Sequence, residues 1–185
     1  MKKIILIILF LIPLISTADT FLPNTYYQVC FTPQSNCTYK IVKEIKKARH
    51  SILVEAYSFT SRPIIKALAS AKYRGIDVKL LLDKSLIIDA DKYYSPIPYF
   101  QNRNIWMKID YIPSIAHNKV IIIDNNTVIT GSFNFTRSAQ KYNAENVLII
   151  HDYKLAQKYT DNWYKRAAQS ISVKEAMTIM AKMPK

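Results

Sequence analysis

Four side chains of complementary chemistry stand together in one stretch of the chain. His117 and Lys119 precede the run Val120-Ile121-Ile122-Ile123-Asp124, and Ser132 and Asn134 follow Asn125-Asn126 and Thr127-Val128-Ile129-Thr130-Gly131. An imidazole with an unperturbed pKa of about 6.5 can attack an electrophile or carry a proton near neutrality. An ammonium, a hydroxyl and a carboxamide can hold the oxygens of an anion. The set suits a phosphodiester, because the five-coordinate phosphorus transition state carries extra negative charge that such donors stabilise. A nucleophilic imidazole also needs its tautomer fixed through the far nitrogen, and Glu145, at the start of the next strand-like run, is the candidate for that task.

Two β-branched runs around Asn125-Asn126 read as a β-hairpin, since Asn tolerates the positive φ that a two-residue turn demands. With those two residues as the loop, Lys119 falls opposite Ser132 and His117 opposite Asn134. Facing residues have Cβ atoms about 5 Å apart and alternate residues share a face. This register gathers all four groups into one patch.

The elements that must carry the hairpin alternate along the chain. Tyr26–Phe31 reads as a strand and Tyr39–Arg49 as a helix with Ile41, Val42, Ile45 and Ala48 on one side. Ile52–Phe59 is β-rich. Ser61 reads as an N-cap and Pro63 sits in the first turn of a helix that turns Ile64, Leu68 and Ala71 inward and ends at Gly75. Val78–Leu82 reads as a buried strand. Leu86 to Ile112 reads as irregular and aromatic, with Tyr93, Tyr94, Pro96, Pro98, Tyr99 and Phe100, and one short strand near Met107–Ile109. Val120–Asp124, Thr127–Thr130 and Asn146–Ile150 are further strands. Tyr153–Gln169 is a helix with Leu155, Tyr159 and Trp163 on its core side, and the tail from Val173 suggests a short amphipathic helix. The pattern predicts one α/β domain over residues 19–185, a mixed, mostly parallel sheet with helices on both faces.

Composition narrows the function classes. Half of the 185 residues are hydrophobic, which excludes intrinsic disorder. Only Gly75 and Gly131 are glycines, so phosphate-cradling glycine loops are absent. Two Cys and three His make no convincing zinc site. Lys2 and Lys3 precede twelve residues, Ile4 to Ile15, that are apolar apart from the interrupting Pro13, and then Ser16-Thr17-Ala18, the pattern of a signal peptide cleaved after Ala18. The run is shorter than the ~20 residues that span a bilayer. Its removal lowers the formal charge from +13 to +11, a strong bias toward polyanions. The expectation is a secreted or periplasmic protein, in which Cys30 and Cys37 could close a small loop or remain buried thiols.

The stretch resembles the HxK-x4-D-x6-GSxN signature of the phospholipase D superfamily, with His117, Lys119, Asp124, Gly131, Ser132 and Asn134 in place. Ala56-Tyr57-Ser58-Phe59-Thr60, Arg74-Gly75-Ile76-Asp77-Val78-Lys79 and Asn143-Ala144-Glu145-Asn146 are similar to the small secreted bacterial nucleases of that superfamily. The resemblance implies that His117 forms a phosphohistidine, Lys119 and Asn134 hold phosphate oxygens, Ser132 supports them and Glu145 orients the histidine. Asp124 fills the signature as well, but its place at the turn suggests a structural part.

That chemistry takes two histidines, one to attack and one to protonate the leaving oxygen. Neither His50 nor His151 carries a second copy of the motif. The resemblance therefore implies a homodimer with the site on the two-fold axis, and neither metal nor cofactor. The substrate is then a nucleic acid or a phospholipid. The alternatives are a phospholipase D that releases choline from phosphatidylcholine in host membranes, and an idle basic binding protein.

Overall fold

The computed structural model describes residues 18–88 and 94–182. The expected signal segment lies outside the described residues except for Ala18, and so does Tyr93.

One eight-stranded sheet organises the chain. Its strands are β1 (Tyr26–Thr32), β2 (Ser51–Ala56), β3 (Asp77–Asp83), β4 (Trp106–Asp110), β5 (Lys119–Ile123), β6 (Thr127–Gly131), β7 (Glu145–His151) and β8 (Ile171–Ser172), in the order β1-β7-β6-β5-β2-β3-β4-β8. The sheet is mixed, but parallel pairing is confined to β2–β3–β4 and the other five neighbour pairs are antiparallel. The expectation of a mostly parallel sheet is corrected by connection length. The β5–β6 link is too short for the crossover that parallel neighbours require.

The helices are α1 (Cys37–Lys47), α2 (Arg62–Tyr73), α3 (Ser85–Ile88), α4 (Ile97–Gln101), α5 (Arg137–Lys141), α6 (Tyr153–Gln169) and α7 (Val173–Met180). Asn36 caps α1 by accepting from the Tyr39 N–H at 3.0 Å. Ile41 and Ile45 of α1 and Ile64, Leu68 and Ala71 of α2 are fully buried on one sheet face with Val54, Leu80 and Ile121. The opposite face belongs to α6, whose Ala156, Trp163 and Ala167 pack on Leu53, Leu81, Val120, Ile122 and Val128. The central strands β2, β3 and β5 thus send alternate residues into two cores and read as largely apolar runs.

Between Leu86 and Ile112 the expectation of an irregular segment is corrected. Ile97 and Phe100 are 1% and 0% exposed, one helical turn apart, and their burial winds α4 despite two prolines that a first turn tolerates.

The hairpin register is corrected too. Asp124 and Asn125 both adopt positive φ, 53° and 47°, and the Asn126 N–H donates to the Ile123 carbonyl. The loop therefore has three residues, and the pairs are Ile123↔Thr127, Ile122↔Val128 and Ile121↔Ile129. Asp124 is held out of the strand by its carboxylate, which accepts the N–H groups of Arg49, His50 and Ser51 at 2.8–2.9 Å. The shift by one residue removes the expected pairing of Lys119 with Ser132 and of His117 with Asn134.

Trp163 carries the α6 face: it is 1% exposed and its indole N–H donates to the Val54 carbonyl at 3.0 Å. Trp163→Ala is expected to cost about 3–5 kcal/mol, to be read from the midpoint of urea unfolding.

Candidate active site

Central pairing positions the cation. Lys119 opens β5 opposite Ala56 of β2, and its side chain is buried. The ammonium donates to the main-chain carbonyl of His117 at 2.6 Å and lies 5.3 Å from the centroid of the Tyr57 ring. The His117 ring leans on the same tyrosine, with centroids 4.8 Å apart and planes inclined by 54°. Tyr57 is fixed in turn, since its N–H donates to the Asn118 carbonyl. Burial lowers the Lys119 pKa, and the negative charge of Glu145 works against that lowering.

The hydroxyl and the amide arrive by a route other than β5–β6 pairing. Gly131 ends β6 at φ +143°, and a Cβ there would stand 2.3 Å from the Asn146 carbonyl oxygen. Only glycine permits this close passage. It delivers Ser132 to the head of β7, where Ser132 Oγ donates to Glu145 Oε2 at 2.6 Å and accepts from the Asn146 N–H at 3.0 Å. Farther on, Phe135 bridges to Phe59, and its carbonyl accepts from both Thr60 and Ser61. This clamp sets Asn134 in a cavity of about 380 Å³ shared with Tyr57, Thr136, Ser138 and Asn143. The amide oxygen of Asn134 is buried there without a hydrogen-bond partner among the described residues.

His117, Lys119, Ser132, Asn134 and Glu145 therefore converge through Tyr57 and the head of β7. The expected bond from Glu145 to the His117 ring is corrected. The Glu145 carboxylate is taken up by Ser132 and by Asn143, whose amide donates to Oε1 at 2.9 Å. The β6–β7 register, with Gly131 opposite Val147, brings the Ser132 loop rather than the histidine to this carboxylate. Asp124 lies at the far end of β5, ~16 Å from Lys119 at strand rise.

Three residues of this site escape a reading of the signature alone: Tyr57, Asn143 and Asn146. Their signal is positional. Each flanks a strand end, where α/β sheets place binding groups. Near the same head of β7, Cys30 stands opposite Val147 and forms with Cys37 a disulfide that ties β1 to the start of α1.

Residues 41–166 match a family model described as "cardiolipin synthase, PLD-like domain". A protein named phospholipase D from Rickettsia prowazekii is 47% identical over 152 residues, covering 82% of this chain and 73% of that protein. Another from Rickettsia typhi is 48% identical over 141 residues, covering 76% and 68%. The crystal structure of the phospholipase D family member Nuc from Salmonella typhimurium superposes with a TM-score of 0.72 at 38% identity, covering 79% of this chain and 96% of that one. NucT from Helicobacter pylori shares the fold, with a TM-score of 0.71 at 24% identity over 80% and 99%.

Gly131→Ala is expected to lower diester hydrolysis at least ~10-fold, because the Ser132 loop must leave Asn146, and to lower stability by about 1–3 kcal/mol; rate assays and thermal unfolding check both. Glu145→Gln removes the charge that holds up the Lys119 pKa. The alkaline limb of the pH–rate profile is then expected to move to lower pH, since the ammonium is lost earlier as pH rises.

Proposed function

The chain belongs to the phospholipase D superfamily and is a phosphodiesterase of it, and from that premise we propose that it is a secreted, metal-independent homodimer that cleaves P–O bonds through a phosphohistidine. The observation that carries this reading is the unpartnered Asn134 amide, buried in the cavity whose Tyr57 wall supports both His117 and Lys119. A buried amide left unpaired costs about 1–3 kcal/mol. A half-turn about its terminal bond aims its NH₂ at a phosphate oxygen, which removes that cost.

In the proposed reaction a ring nitrogen of His117 attacks phosphorus, forming a P–N bond as the P–O bond to the leaving group breaks. Lys119 and Asn134 hold the non-bridging oxygens, and Ser132 supports them through the Glu145 end of the site. The leaving oxygen takes its proton from the His117 of a second copy. That same imidazole then deprotonates water, which attacks the phosphohistidine, breaks the P–N bond and restores the enzyme. Ile112 and Ile115, 64% and 55% exposed, lie just before His117 and support a second copy seated over this end of the sheet. The apolar run before Ala18 supports export.

The names of the Rickettsia relatives favour a phospholipid as the second reading. Rates on plasmid DNA and choline release from phosphatidylcholine vesicles separate the two.

Hydrolysis of bis(p-nitrophenyl) phosphate is expected to persist undiminished in EDTA and to fall at least ~10³-fold in His117→Ala. Quenching in alkaline detergent with radiolabelled substrate should trap a base-stable, acid-labile phosphoryl group on the wild type alone. A requirement for added divalent ion, or turnover by a monomer in sedimentation-matched assays, contradicts the scheme.

A further inference from the structure

A second cavity, of about 960 Å³, lies beside the catalytic one, in the angle between the starts of α1 and α2 and the short helix α5. Thr60 and Thr136 line both cavities, so the two meet. Arg62, Arg137 and Lys141 line the larger one, and no Asp or Glu does. None of these three cations is in an ion pair among the described residues. Ser61 lines it as well: it stands at the N-cap of α2, and its hydroxyl makes no capping hydrogen bond and is left open to the cavity among the described residues. A free hydroxyl and three unneutralised cations around one concavity are donors set for an anion. Arg137 follows Asn134 by three residues, so at most ~11 Å of chain separates it from the catalytic amide.

We propose that this groove binds the backbone of a single nucleic-acid strand beside the diester being cut, which makes a polynucleotide the substrate of the site. The proposal rests on the phosphodiesterase reading above. A lipid surface would call for cations on a convex face flanked by apolar anchors. Here the cations line a recess, with Gln34 and Asn36 on its wall and the Tyr39 ring, 62% exposed, at its edge. Arg forks grip successive phosphates bidentately, and an exposed ring offers a stacking platform for a base.

The test uses the mature chain carrying His117→Ala, so that binding is read without cleavage. Anisotropy of a fluorescent single-stranded oligonucleotide is compared for this protein, for a groove triple (Arg62→Ala, Arg137→Ala, Lys141→Ala) and for a charge-matched triple (Lys154→Ala, Lys165→Ala, Lys174→Ala) on α6 and α7. The groove triple is expected to raise Kd at least tenfold and to flatten the dependence of log Kd on log salt by about 2, and the charge-matched triple to change Kd less than threefold. Arg62→Lys with Arg137→Lys should recover part of the loss, and matching unfolding temperatures establish that the variants are folded. Equal losses in both triples would show only the net field of the protein at work and overturn the proposal. So would absence of oligonucleotide binding, or a loss confined to phosphatidylglycerol vesicles. Failure of the phosphohistidine scheme appears separately, in the bis(p-nitrophenyl) phosphate assay, and leaves these binding results readable.

Discussion

The site depends on carrying one charged ammonium into a mostly apolar sheet. The β2–β5 pairing of Ala56 with Lys119 does this and leaves the lysine little choice of position. Desolvation works against the charge, and three local groups oppose it: the His117 carbonyl, the face of Tyr57 and the field of Glu145. Each of those groups has a second task in the site. The carbonyl belongs to His117 itself, the tyrosine supports the His117 ring, and the carboxylate holds Ser132. Charge support and geometry are thus set by the same contacts, so a change at one is felt by the others.

Glycine scarcity sharpens the same point. Of the two glycines, Gly75 ends α2 at φ +87° with open space around it, whereas Gly131 passes against the backbone of β7. The first is a matter of dihedral freedom; the second is a matter of room as well. There the chain steps from β6 to the head of β7 closely enough for one hydroxyl to meet both a carboxylate and a main-chain N–H.

Much of this was legible from residue order, and the failures have a common cause. The β-branched runs and the Ser61, Pro63 and Gly75 punctuation located β2, α2, β3, β5 and β6, because those signals are local. The hairpin register was not local: Asp124 is fixed by N–H groups of Arg49, His50 and Ser51, some 75 positions away in the chain. The partner of Glu145 was missed for a like reason, since strand pairing across β6 and β7 decides which loop reaches it. In α4, burial of Ile97 and Phe100 overrode a composition that reads as loop. Of the signature residues, His117, Lys119, Ser132 and Asn134 still meet and Asp124 does not, because the ends of strands gather them rather than direct pairing across one hairpin.

The bridge between Cys30 and Cys37 encloses Pro33, Gln34, Ser35 and Asn36, and these four residues form one bank of the basic groove. Gln140 fastens that bank to the opposite side, donating to the Ser35 carbonyl and accepting from the Thr38 N–H. Where thiols stay oxidised, the bank is a closed ring already moulded before any guest arrives, and docking need not freeze it. Reduction would open the ring and release that bank, so the strand binding proposed for the groove would follow the oxidising power of the surroundings.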